Sequence, residues 1–168
     1  SLWRHAQLNA NVGLFKVMDG VYQLRGFDIA NMTLIEGQTG WIVVDPLTAP
    51  QSSGAALAFA RQHLGDKPVS AIIFTHAHVD HFGGVLGVTT AKDAAERKLP
   101  IVAPEGFMEE ATSENVLVGT GMARRSMYQF GKNLPRSAKG NVDTGLGKDV
   151  VYGLPAILPP TVLIDKPD

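Results

Sequence analysis

Residues 69–75, Val-Ser-Ala-Ile-Ile-Phe-Thr, are almost wholly apolar, and the next six positions hold His76, His78, Asp80 and His81. A short apolar run of this kind predicts a strand buried on both faces. Polar chemistry then starts where the strand ends, which is where layered α/β proteins place their sites. The 168-residue chain has only five histidines, so three of them within six positions need a cause. Gly83 and Gly84 follow at once and allow the backbone to fold tightly behind the cluster.

The rest of the chain suggests how that strand is housed. Residues 14–25 are two apolar-rich runs around Asp19-Gly20, a strong hairpin signal because both turn positions need φ > 0. Residues 32–45 repeat the plan around a Gly-rich turn at 37–40, so the first third reads as an antiparallel meander. Residues 51–65 predict a helix, with Ser52 or Ser53 as cap and Gly65 as stop. Leu57, Ala60 and Leu64 fall on one face of it. After the cluster come an exposed helix over 89–99, a strand over 100–104, and a helical stretch over 106–131 interrupted near Gly119 and Gly121. Residues 132–160 lack periodicity, and a loop that long is functional or crosses to another part of the assembly. The terminal "TVLIDKPD" contains a strand-like run. The expected fold class is α/β (α+β): a sheet covered by helices, forming one half of a four-layer αββα sandwich. The second sheet would come from residues outside this chain.

Composition narrows the chemistry. A hydrophobic fraction of 45% and a charged fraction of 18% can bury a core and argue against disorder. The net charge of −1 implies no general attraction to nucleic acid. No apolar stretch approaches the roughly 18 residues of a membrane span. With no cysteine, a zinc site here must use His, Asp and Glu. The chain starts at Ser1 without an initiator Met and reads as a piece of a longer protein; a signal peptide before it would make the protein periplasmic or secreted.

In extended backbone, residues two apart point to the same side, so His76 and His78 are placed to grip one metal. If the chain then turns into a helix, Asp80 and His81 are aimed at a second. Neutral imidazole and carboxylate suit Zn²⁺.

"THAHVDHFGG" resembles the HxHxDH signature of the metallo-β-lactamase superfamily, and "GWIVVDP" resembles its strand that ends in an aspartate near the site. Together with "GFDIANMTLIEGQTGWIVVDPLTAP" and "SENVLVGTGMARRSMYQFG", these strings look like the bacterial alkylsulfatases of the dodecyl-sulfate hydrolase type, over about residues 3–165. That resemblance implies two zinc ions, one on His76 and His78 and the other on Asp80 and His81. Asp80 would serve catalysis as a ligand. Asp45 would accept a hydrogen bond from a ligand histidine and fix its tautomer. It also implies further ligands C-terminal to this chain, since no histidine follows His81 and Glu105, Glu109, Glu110 and Glu114 do not match the family's ligand segments. A dimerisation domain and a C-terminal lipid-carrier-like domain would complete the protein, as a homodimer.

The implied reaction is hydrolysis of an alkyl sulfate to an alcohol and inorganic sulfate, with C–O cleavage the expected route. Arg124-Arg125 offers guanidinium to sulfate or forms a solvated helix face. Tyr152 offers a hydroxyl to substrate or packs. Met108, Met122, Met127 and Phe130 line an alkyl groove or belong to the core. Two other readings share the motif: a lactonase, thioesterase or β-lactamase of the same fold, and a catalytically incomplete metal-binding fragment completed by its C-terminal part or by another chain. His5 and His63 should lie outside the site.

Overall fold

The computed structural model describes residues 1–147 and 149–166; Lys148, within the irregular 132–160 stretch, and the terminal Pro167 and Asp168 lie outside the described residues. The chain opens with helix α1 (Leu2–Asn9), which the sequence reading did not predict and which Ser1 Oγ caps at Arg4 N. Strands β1 (Gly13–Met18), β2 (Val21–Arg25), β3 (Met32–Glu36) and β4 (Trp41–Val44) then form the expected antiparallel meander. Helix α2 (Pro50–Leu64) carries the chain back to β5 (Val69–Ile73), which pairs parallel to β4. Short helices α3 (Val79–Phe82), α4 (Val85–Val88) and α5 (Ala91–Glu96) precede β6 (Ile101–Pro104). Helix α6 (Phe107–Thr112), a π-helical turn (Ser113–Leu117) and α7 (Gly119–Phe130) follow, and β7 (Val162–Ile164) closes the described sheet. The seven strands lie in sequence order, antiparallel from β1 to β4 and parallel from β4 to β7.

Register explains which side of the sheet holds the core. Leu34, Val43, Ile72 and Ile101 pair across four neighbouring strands and are all buried. Alternation puts them on one face, where Ala56, Leu57 and Ala60 of α2 join the same cluster. Thr33, Val44, Ile73, Val102 and Val162 pair in the neighbouring row on the opposite face, and none of them is buried. This corrects the expectation that β5 is buried on both faces: Val69 and Ile72 are buried, while Ser70, Ala71 and Ile73 are only half-buried.

Two further expectations change. Helix α2 starts at Pro50, with Ala49 in the capping position and no side-chain cap. Ser52 and Ser53 already lie inside the first turn, and their hydroxyls are used elsewhere. Ser52 Oγ donates to Asp28 Oδ2 at 2.9 Å, and Ser53 Oγ donates to Gly84 O at 2.5 Å. Helix α7 has no buried residue; Met122 and Met127 are exposed on it, whereas Met108 packs against the core.

Asp28 is the main polar group inside the fold. It is 5% exposed and accepts from Ile29 N, Thr48 N, Thr48 Oγ1 and Ser52 Oγ at 2.7–3.0 Å. Those bonds fix the segment between β4 and α2. Asp28→Ala would strand several buried donors, so a stability loss of about 2–3 kcal/mol is expected in urea unfolding. A loss below about 0.5 kcal/mol, the size of an ordinary surface change, would contradict this account.

Candidate metal centre

The site stands at the C-terminal ends of the adjacent parallel strands β4 and β5. Asp45 follows β4 directly. Its backbone has φ 54°, and Leu47 has φ 65°, a left-handed conformation uncommon for either residue type. Surrounding bonds over-determine the bend. Asp45 N donates to Ile73 O at 2.9 Å, Gly84 N donates to Leu47 O at 2.8 Å, and Thr48 N is held by Asp28. The bend turns the Asp45 carboxylate sideways across the end of β5. There Oδ1 accepts from Thr75 N at 2.8 Å, and Oδ2 accepts from Thr75 Oγ1 at 2.7 Å and lies 2.8 Å from His81 Nδ1.

The HxHxDH segment is half loop and half helix, as the spacing requires. His76 lies in a bend and His78 in extended backbone just before α3, and Asp80 and His81 sit on its single turn. His76 Nε2 and His78 Nδ1 lie 3.1 Å apart. The His76 ring centre is 4.7 Å from that of His78 and 4.1 Å from that of His81. Asp80 Oδ2 is 3.4 Å from His81 Nε2. Glu114, from the π-helical turn, brings Oε1 to 3.6 Å from His78 Nε2.

Electrostatics separate His76 from His81. Burial, reinforced by the neighbouring His81 and His78, holds His76 below the ordinary imidazole range. Burial also works against a charged His81, but the Asp45 and Asp80 carboxylates outweigh it and raise His81 to about 9. Burial works to raise Asp80 as well, yet the hydrogen bond and charge of His81 leave it below the usual carboxylate value. A cation binding at His81 must therefore displace a proton.

These groups suit a metal by a test internal to the structure. A tetrahedral zinc with bonds of about 2.0–2.1 Å sets two ligand nitrogens roughly 3.3–3.4 Å apart. His76 Nε2 and His78 Nδ1 already stand close to that separation. One ligand-type atom each from Asp45, His76 and His81 also lies within 4.8 Å of the others. The bonding of Asp45 gives it an orienting part, because both of its oxygens are engaged by Thr75 and one also faces His81.

The structure thus gathers Asp45, His76, His78, Asp80 and His81 and leaves the remaining candidates aside. Arg124 is exposed on α7 and Tyr152 is 77% exposed beneath Lys132; among the described residues neither bonds to the cluster. His63 turns to Phe59 O on α2, and His5 lies exposed on α1. Sequence reasoning missed Thr75 and the reach of Glu114. Thr75 adjoins the motif and was legible as a hydroxyl at a strand end. Glu114 is one of four acids that follow the motif, and which of them approaches the cluster depends on the π-helical turn.

The chain belongs to the metallo-beta-lactamase superfamily, whose family model matches residues 25–163. Within that superfamily its relatives include alkylsulfatases. It is 48% identical to the alkyl/aryl-sulfatase BDS1 of Saccharomyces cerevisiae, covering 99% of this chain and 26% of the relative. It is also 48% identical to an (R)-specific secondary-alkylsulfatase of a Pseudomonas species, covering 99% of this chain and 25% of the relative. The likeness is therefore not confined to bacteria. The solved structure of the stereoselective inverting sec-alkylsulfatase Pisa1 from Pseudomonas superposes with a TM-score of 0.92, over 99% of this chain and 26% of that one. The chain spans about a quarter of the length of these relatives.

Proposed function

We propose that this chain is the N-terminal part of an alkylsulfatase catalytic domain that hydrolyses alkyl sulfate esters to alcohol and inorganic sulfate with two zinc ions. The observation that carries the reading is the convergence of Asp45 and the HxHxDH groups, in a chain 48% identical to alkylsulfatases over nearly its whole length. His76 and His78 would hold one ion, and Asp80 and His81 the other. When bound, such a pair supplies water activated near neutral pH and Lewis-acid stabilisation of charge on the ester. Asp45 holds His81 by its Nδ1, leaving Nε2 toward Asp80. The missing ligands, a dimerisation domain and a lipid-carrier-like domain would come from the longer protein, working as a homodimer. Arg124 and Tyr152 remain proposed substrate contacts that would need those further parts around them. Among the described residues, no helix is long and apolar enough to cross a membrane.

The test measures sulfate released from dodecyl sulfate by the longer, zinc-loaded protein, beside lactone, thioester and β-lactam hydrolysis. Sulfate release with negligible turnover of the others is expected. Preferential hydrolysis of any of those three would replace the sulfatase reading with another hydrolase of the superfamily.

A further inference from the structure

Thr75 lies at the open rim of the site, and its hydroxyl stands between two of the gathered groups. Oγ1 is 2.7 Å from Asp45 Oδ2 and 2.9 Å from His76 Nδ1. A carboxylate only accepts, so the single hydroxyl proton goes to Asp45. The oxygen is then left with lone pairs toward His76, and Nδ1 must be the donor. That places the His76 proton on Nδ1 and the free lone pair on Nε2, the nitrogen that faces His78 Nδ1 at 3.1 Å. The backbone of Thr75 is anchored separately, through Thr75 N to Asp45 Oδ1 at 2.8 Å. One carboxylate therefore orients two imidazoles, His81 directly and His76 through a hydroxyl.

We propose that Thr75 is a positioning residue that sets the tautomer of His76, relaying the orientation of Asp45 to the first of the two metal positions. Only the affinity arm of the following test rests on the metal-site reading; the tautomer arm needs no metal. Long-range ¹H–¹⁵N spectra of the metal-free chain, at a pH where His76 is neutral, report which ring nitrogen carries the proton. His76 is expected as the Nδ1–H form. Thr75→Val keeps the shape and the backbone bond but removes the hydroxyl. It should shift His76 toward the Nε2–H form that free imidazole prefers, leave His81 on Asp45, and weaken zinc binding about 10–100-fold in a competition titration with zinc alone. Thr75→Ser should restore both readouts. Nε2–H on His76 in the unmodified chain overturns the proposal, and that measurement stands even where Thr75→Val fails to fold. An unchanged tautomer or an unchanged affinity in folded Thr75→Val overturns it too. A chain that shows the Nδ1–H form and its loss in Thr75→Val, yet binds no zinc, would sink the metal reading and leave the hydroxyl relay intact.

Discussion

His76→Ala is expected to remove most of the bound metal and essentially all sulfate release from the longer protein. His76 is the hub of the cluster. Its Nε2 faces His78, its Nδ1 meets the Thr75 hydroxyl, and its ring lies against His81. Alanine leaves His78 without its partner across the 3.1 Å gap and opens a hole between the remaining imidazoles. The fold should tolerate the change, because His76 is only half-buried and lies past the end of β5. Asp45→Asn should be milder, with zinc affinity and turnover down by about 10–100-fold, since it weakens orientation without deleting a ligand. Zinc per chain and turnover of dodecyl sulfate decide both. Full activity in His76→Ala would remove the metal role from this residue.

The largest effect on stability is expected from the smallest addition, Gly84→Ala. A methyl group there would sit 2.0 Å from Pro46 O and 2.9 Å from both Ala49 O and Ser53 Cβ. The nearest of these atoms is backbone, so no flexible side chain can swing away. The backbone of Gly84 runs against the segment that bends at Asp45, and Ser53 Oγ donates to its carbonyl. Opening that contact pulls α4 from α2 and moves the Asp45 bend with it. Ordinary overpacking costs about 1–3 kcal/mol, and this contact should cost about 4 kcal/mol or more. Urea unfolding measures the loss, and zinc affinity should fall in parallel. A loss under about 1 kcal/mol would mean that the two segments part easily.

Much of this arrangement was legible in the residues, for physical reasons that differ by element. Asp19-Gly20 marked its hairpin, but only Gly20 takes positive φ, at 75°; Asp19 does not, and the register slips between Lys16 and Met18, so the turn is not the one in which both positions need φ > 0. The strand at 69–73, the helix ending at Gly65 and the strand at 162–164 could be read from apolar runs and a stop residue. The ligand-type residues were legible because their spacing matched a strand-to-helix junction, and α3 begins at Val79. What escaped was set by tertiary contact. Nothing local marks Asp28 as the anchor of the segment after β4, because its four donors come partly from residues about twenty positions away. Ser52 and Ser53 are cap-type residues by sequence, but Asp28 and Gly84 claim their hydroxyls. Helix α1 spans only eight residues and buries none of them, too short a window for periodicity to mark it.

Strands that pair in strict sequence order also decide when the site comes into being. Each strand of the sheet finds its neighbour in the strand made just before it, so the sheet grows in the direction of synthesis. Asp45, Thr75 and His81 are all present once residue 81 has been made, and Gly84 and the α4 turn that lock them follow within a few residues. Synthesis adds about 5–20 residues per second, and a domain generally folds as a unit. Asp45, Thr75, His76, His78, Asp80 and His81 thus all precede α7 and β7 along the chain, so the cluster and the strands that carry it follow one another in the same order.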